Sequence, residues 1–410
     1  MIMNVLFLTM SPSVANVRVS GIYTDLMRCF RNNGHNVYVV YPSERRKKEP
    51  TSVGCIDSIH TLGVYTLNLT KSSIIEKGIG QLLLEFQFYF AILRYYKDIR
   101  FDLILYTTPP ITFTNILRCL KYRHPKAKVY LLLKDIFPQN AVDLGLLSIQ
   151  GMRGLLFRLY RQKEKALYRL SDFIGCMSPA NVKYLLEHNS EISVQKVEIA
   201  PNSYEVIQFP KSISVEERKT IRKKYGLPID VPIFVYGGNL GKPQGIPFLI
   251  DCLRANSHRK DCHFLVVGNG TEFHMLEKWF NLESPASVTL LHGLPKQEYD
   301  MLMSVCEVGL IFLDYRFTIP NYPSRLLPYM MEKKPIIAVT DESSDVGRIA
   351  VENGYGIWVP SNSVMLFSAA IDKMLHSDIQ TMGESAYQYF ISNYTVQHTY
   401  NAIVSHFSGN

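Results

Sequence analysis

Short, uninterrupted apolar runs, each followed by a helix-length stretch, recur from one end of this chain to the other. That alternation restricts the fold more than any other feature. In the first half the runs are Val5 to Leu8, Val37 to Val40, Leu103 to Tyr106, Val129 to Leu133, Phe173 to Met177 and Val197 to Ala200. Runs this short and this rich in Val, Ile, Leu and Tyr read as strands buried on both faces. Strand and helix in alternation build an α/β domain around a doubly wound sheet. The pattern restarts after a charged helix, Ser214 to Tyr225, and Pro228, with runs at Ile233 to Tyr236, Phe264 to Val267, Val288 to Leu291, Val308 to Leu313 and Ile336 to Val339. Two Rossmann-like domains are therefore expected, 1–203 and 204–385, divided within the Pro, Asn and Ser segment Pro201 to Pro210. Segments 363–376, 379–393 and 395–407 read as helices, and 386–410 is expected to pack back toward the first domain. Open α/β sheets bind ligands at their carboxyl edges. The active site is expected where the two domains face each other across a cleft.

At 410 residues and 47% hydrophobic composition the chain can bury ordinary cores, which excludes disorder and disulfide-stapled miniproteins. Seven scattered cysteines without a Cys-x-x-Cys pair fit a reducing compartment, and the start MIMNVLFLTMSPS has no basic region before its short apolar run. A cytoplasmic location is expected. The most apolar later stretch, Ile79 to Leu93, contains Gln81, Glu85 and Gln87, so no run of about 20 apolar residues crosses a bilayer. Net charge is +10 over residues 1–210 and −2 over 211–410. A basic half suits nucleic acid, anionic lipid or a phosphate ester. No nucleic-acid motif accompanies it, so lipid or a phosphorylated substrate is preferred and nucleic acid is not expected as a partner.

Three loops of the second half carry anion-binding chemistry. Tyr236-Gly237-Gly238-Asn239-Leu240-Gly241-Lys242-Pro243-Gln244-Gly245 lies between a strand and a helix, where glycines admit a ligand to the backbone and Lys242 supplies charge. Gly268-Asn269-Gly270 repeats the arrangement one strand along, and the pair points to a nucleotide diphosphate more strongly than either loop alone. Asp314 to Arg325 offers Arg316 and Arg325, with Ser324 expected to cap the helix 324–332. In the first half, Ser20-Gly21 opens a helix whose amides suit a phosphate or hydroxyl. Asp135, just past an apolar strand, could act on an acceptor hydroxyl as base or orienter. Simple turns, solvated arginines and a helix-capping Asp are the plain alternatives for these same residues. Without an Asp-x-Asp or a histidine cluster, no metal is expected.

These segments resemble family-4 GT-B retaining glycosyltransferases over nearly the whole chain. The likeness rests on Gly34-His35-Asn36-Val37, Pro201-Asn202-Ser203, Gln244-Gly245, Val266-Val267-Gly268-Asn269-Gly270, His292-Gly293-Leu294, Pro323-Ser324-Arg325-Leu326-Leu327-Pro328-Tyr329-Met330 and Lys334-Pro335-Ile336-Ile337-Ala338, in that order. Tyr106-Thr107-Thr108-Pro109-Pro110 and Lys134-Asp135-Ile136-Phe137-Pro138-Gln139 resemble the bacterial surface-polysaccharide branch, which makes O-antigen and capsule. The resemblance implies retaining transfer of a sugar from a nucleotide-diphosphate donor, expected to be UDP-linked, to a lipid-linked saccharide. The donor is a substrate, and no cofactor is expected. It places the base reader at Leu294, a donor-phosphate neighbour at Gly21 and the acceptor-side residue at Asp135. With the loop chemistry above, donor contacts are expected at Gly238, Asn239, Lys242, Gln244, Gly268, Gly270, Arg316, Thr318, Ser324 and Arg325. Two departures stand out. Asn239 and Gln244 occupy places where many members carry Arg and Lys, and the family's paired glutamates fall on Pro320 and Pro328.

The helix 151–170 groups Arg158, Arg161, Lys165 and Arg169 on one face, with Leu155, Leu159, Ala166 and Leu170 on another, and 82–96 is unusually aromatic. Peripheral binding to an anionic membrane surface, on the inner face of the cell membrane, is expected from these two helices. A solvated face and an ordinary buried helix are the alternative. Three rival functions remain at this point: a nucleotide-sugar epimerase of the same fold, a non-catalytic nucleotide-sugar-binding subunit, and a polyanion-binding module.

Overall fold

Strands whose residues are all buried need helices on both sides, and β12 (Val308–Phe312) and β13 (Ile336–Thr340) have every residue buried. The computed structural model describes residues 2–70, 72–206 and 213–407, with only the backbone at 74, 75, 152 and 153. The chain divides into two units, Met1–Glu205 with Tyr394–Asn410, and Val206–Asn393. Part of the expected boundary segment, 207–210, lies outside the described residues.

Unit 1 holds β1 (Asn4–Leu8), β2 (Asn36–Glu44), β3 (Ser52–Ile56), β4 (Ile59–Thr66), β5 (Leu103–Thr108), β6 (Lys128–Leu133), β7 (Phe173–Cys176) and β8 (Val197–Ile199) in the order β3-β4-β2-β1-β5-β6-β7-β8. All neighbours are parallel except the β3–β4 hairpin. Sequence reading misses that hairpin for a physical reason. Nearly all of β3 is exposed, and the turn uses Asp57 (φ 50°) and Ser58 (φ 61°), without the glycine that usually marks such a turn.

Unit 2 holds β9 (Ile233–Asn239), β10 (His263–Asn269), β11 (Val288–His292), β12, β13 and β14 (Gly356–Pro360) in the order β11-β10-β9-β12-β13-β14, all parallel. Chain order reverses between β1 and β5 in unit 1 and between β9 and β12 in unit 2. Reversal opens a crevice at the carboxyl ends of those strands. The expectation of two parallel α/β domains holds.

The chain's final segment follows a different division from the one expected. Helix Ile379–Asn393 stays with unit 2, where Gly383 approaches Lys333 so closely that a Cβ would lie 2.0 Å from its carbonyl oxygen. Only from Tyr394 does the chain join unit 1. There the Tyr400 hydroxyl lies 2.9 Å from His35 Nε2, and the Thr399 hydroxyl donates to the Pro201 carbonyl at 3.0 Å. Both partners of helix Val396–Val404 lie far upstream, beyond the reach of periodicity within the helix itself.

Candidate functional site

The crevice side of unit 2 is built by the carboxyl end of β9 and the turn that follows it. Tyr236 is fully buried, and its hydroxyl donates to the Asn239 carbonyl at 2.9 Å, closing the turn. Gly238 sits there at φ +116°, which a side chain would resist. Asn239 Nδ2 donates to Gln244 Oε1 at 2.9 Å, and the Gly241 amide donates to the same oxygen at 3.1 Å. Asn239 and Gln244 therefore shape the loop by bonding to each other. Lys242 is exposed at its crest.

The second glycine loop packs against the first. A Cβ on Gly268 would lie 1.9 Å from the Gly238 carbonyl oxygen, and one on Gly270 would lie 2.1 Å from that of Leu240. Gly268 is thus required where β10 pairs with β9, and Gly270 where the turns beyond them touch, a reason independent of any ligand. Asn269 Oδ1 then accepts from the Gly293 amide at 3.2 Å, tying in the segment with half-buried Leu294.

The loop after β12 separates the two arginines. Arg316 grips Asp314 through Nε at 2.8 Å and Nη2 at 2.7 Å, so its charge is already met, contrary to its expected part in an open anion site. The Arg325 guanidinium lies 4.4 Å from the centre of the Tyr236 ring and donates through Nη2 to the Asn239 carbonyl at 3.2 Å. Its Nη1 is buried with no hydrogen-bond partner. A buried donor on a permanent cation is costly to leave unpaired. Cation-π contact and the Asn239 carbonyl hold this guanidinium beside Gly238.

Ser324 is not the cap that was expected. The helix spans only Leu326–Met331 and is entered through Arg325 with no side-chain cap. Pro328 sits in its first turn, where an amide would lack a partner anyway. Thr318 is exposed on the same loop. The loop is anchored from the turn after β13: the Asn321 amide donates to Ser344 Oγ at 2.9 Å, and the Ser344 amide and hydroxyl donate to Asp341 at 2.8 and 3.0 Å. Burial pushes the Asp341 carboxyl up to about 6.

In unit 1 the Gly21 amide donates to Asp25 Oδ1 at 2.9 Å. Asp25 is fully buried and also accepts from the Ser20 hydroxyl, the Glu205 amide and Arg28. The Gly21 amide is therefore occupied within the protein, against its expected place at a phosphate. Lys134 and Asp135 follow β6 and diverge. Lys134 donates to the Ala200 carbonyl at 3.2 Å, and burial pushes its ammonium down to about 7. Asp135 accepts from Asn140 Nδ2 at 2.8 and 2.7 Å, and burial pushes its carboxyl up to about 6. Asn140 escaped sequence reading, although a partner five residues on, just inside the next helix, is a findable signal. Tyr236 escaped too, because nothing in the sequence brings it under Arg325. Among the described residues, no group of three His, Cys, Asp or Glu side chains gathers to hold a metal ion.

Residues 217–393 match the family model of glycosyl transferases group 1. The chain is 25% identical over 321 residues to the probable glycosyltransferase WbjE of Pseudomonas aeruginosa, covering 76% of this chain and 75% of WbjE. It is 24% identical over 184 residues to the putative colanic acid biosynthesis glycosyl transferase WcaI of Escherichia coli (strain K12), covering 45% of this chain and 43% of WcaI. Among solved structures it is similar to Anabaena Alr3699/HepE in complex with UDP-glucose, with a TM-score of 0.71, 13% identity and 100% of both chains covered.

Proposed function

We propose that this chain, a group 1 glycosyltransferase of GT-B fold, transfers a sugar from a UDP-linked donor to a lipid-linked saccharide in bacterial surface-polysaccharide assembly. Transfer proceeds with retention and without a divalent metal. Arg325 carries this reading: a half-buried cation with a partnerless N–H, at the edge of a glycine loop, suits the donor diphosphate. Lys242 adds charge from the loop's crest, while Gly238 leaves room for the ligand. The colanic acid role named for WcaI supports the polysaccharide setting, and the UDP-glucose held by HepE supports the donor class. Asp135 stands on the acceptor side, held by Asn140. The family's carboxylates remain missing at Pro320 and Pro328.

Arg325→Ala is expected to weaken UDP binding by about 1.5 to 3 kcal/mol, the range for a hydrogen bond to a charged group. Arg316→Ala should leave it nearly unchanged, because Arg316 answers Asp314. Isothermal titration of both variants checks this, and equal losses would move the phosphate site.

No described helix is long and apolar enough to cross a membrane. The proposed membrane contact is peripheral and more apolar than basic. Helix Ile74–Tyr95 leaves Leu82, Leu83, Phe86 and Phe90 at least 43% exposed, and helix Gly151–Leu170 exposes Leu155, Leu156 and Leu159. The expected basic face of the second helix is partly neutralised, since Arg161 pairs with Glu164 and Lys165 with Glu191. Exposed Lys47 and Lys48 lie beside Arg45, whose ion pair with Glu76 joins this basic segment to the first turn of the helix Ile74–Tyr95. Flotation should show binding to anionic vesicles that weakens with salt, and Leu83→Glu with Phe86→Glu should abolish it. Binding indifferent to lipid composition would contradict this face.

A further inference from the structure

We infer that unit 1 carries a saccharide subsite, a cavity lined by Glu164, Tyr168 and Tyr184 that holds one pyranose ring of the acceptor. This rests on the reading of unit 1 as the acceptor side and names the chemistry that reads the acceptor there.

The cavity measures about 200 Å³. An engineered cavity of about 150 Å³ takes up benzene, so this one has room for a single six-membered ring. Cavities left by imperfect apolar packing are lined by Leu, Ile and Phe alone, whereas here Ile136, Phe157 and Leu185 share the wall with a carboxylate, a guanidinium and two tyrosines. Glu164 is 3% exposed, and its carboxylate accepts from the Tyr168 hydroxyl at 2.6 Å. Arg161 bridges Glu164 to Asn189 Oδ1, the latter at 2.7 Å, and Gln139 contributes an amide that donates to Asp143 at 2.8 Å.

Those bonds fix the direction of the Glu164 carboxylate and the Arg161 guanidinium without exhausting them. An ionised carboxylate has about four acceptor positions and a guanidinium about five N–H donors. A sugar hydroxyl both donates and accepts, so a carboxylate beside a guanidinium matches it. The apolar C–H face of a pyranose needs a flat partner. Tyr184 supplies one, and its ring is stacked on His188 with centroids 3.9 Å apart and planes 16° apart.

Position agrees with chemistry. Ile136, next to Asp135, forms part of the wall, and the charge of Glu164 acts on Asp135. The helix that supplies Arg161 and Glu164 also exposes Leu155, Leu156 and Leu159, so an acceptor can place its lipid on those leucines and its sugar in the cavity. The acceptor then already carries a sugar, and a reaction that glycosylates the bare lipid carrier must come first.

Saturation-transfer NMR with a panel of methyl pyranosides (glucoside, galactoside, mannoside and N-acetylglucosaminide) tests the subsite on the full chain. At least one should bind through its ring C–H protons. Tyr184→Leu should weaken that glycoside at least tenfold and leave UDP affinity within twofold. Phe157→Trp, which fills the cavity from a half-buried wall position, should do the same, so a folding defect in one variant does not decide the matter. No binding by any glycoside to a chain that binds UDP would overturn the subsite while leaving the glycosyltransferase reading intact. Binding that survives both variants would overturn it as well, and a parallel fall in UDP-sugar affinity without a fall for UDP would assign the cavity to the donor's sugar instead.

Discussion

Asp135→Asn is expected to lower sugar transfer by about 10²- to 10⁴-fold, the range for loss of a positioned general base, while donor affinity stays within twofold. The expectation follows from how the carboxylate is kept. Burial raises its pKa to about 6, above the ordinary carboxyl value of 3.8, so it can accept a proton near neutral pH without being permanently protonated. Asn140 holds both oxygens, which fixes their aim. Wild-type turnover should therefore rise as pH climbs through about 6, and Asp135→Asn should lack that limb. Stability runs the other way. A carboxyl whose folded pKa is raised contributes stability that is fully present below about 4 and is lost as pH rises through about 6. At pH 8 the Asn variant should accordingly melt no lower than wild type. A variant that loses donor binding, turnover and thermal stability together would make Asp135 a structural residue.

Arg222→Met is expected to destabilise unit 2 by about 3 to 5 kcal/mol, the cost of breaking a buried ion pair from one side. The Arg222 side chain is 2% exposed. It donates to the carbonyls of Pro228, Ile229, Val231 and Val305 at 2.8 to 3.2 Å, and to both oxygens of Glu307 at 2.8 Å. Glu307 also accepts from the Ile233 amide at 2.6 Å, so one guanidinium ties helix Val215–Lys224 to the first residue of β9 and to the turn before β12. Methionine keeps the stem's volume but leaves four carbonyls short of a donor. Arg218 also reaches Glu307, which softens the loss of charge without replacing those carbonyl bonds. Urea denaturation followed by far-UV circular dichroism should show a lower midpoint with an unchanged slope. A shift below about 1 kcal/mol would mean the network is solvated and replaceable.

The contrast between Arg222, Arg316 and Arg325 shows where sequence reading stops. All three are visible as charges, but a sequence does not say which arginine has an internal partner. Arg316 finds Asp314 two residues away, Arg222 finds carbonyls up to 83 residues away, and Arg325 alone of the three keeps an N–H without one. Buried parallel strands were legible because their whole surface must be apolar, as at β12 and β13. The β3–β4 hairpin was not, because an exposed edge strand has no such requirement. The glycines at 238, 268 and 270 were read as loop residues, but Gly238 and Gly268 end the paired strands β9 and β10. That Gly268 and Gly270 serve close backbone contact depends on those strands lying side by side, which only the assembled sheet reveals. At Gly21 the sequence pointed to a free helix start, and a buried Asp four residues on had already taken the amide.

The most direct measurement is transfer of radiolabel from a panel of UDP-sugars into a chloroform–methanol extract of bacterial glycolipids, with excess EDTA present throughout. Label moving into the lipid phase, with the anomeric configuration retained in the product and the signal lost in Asp135→Asn, is the expected result. Conversion of the donor alone, binding without turnover, or activity that returns only when a divalent ion is restored would contradict it.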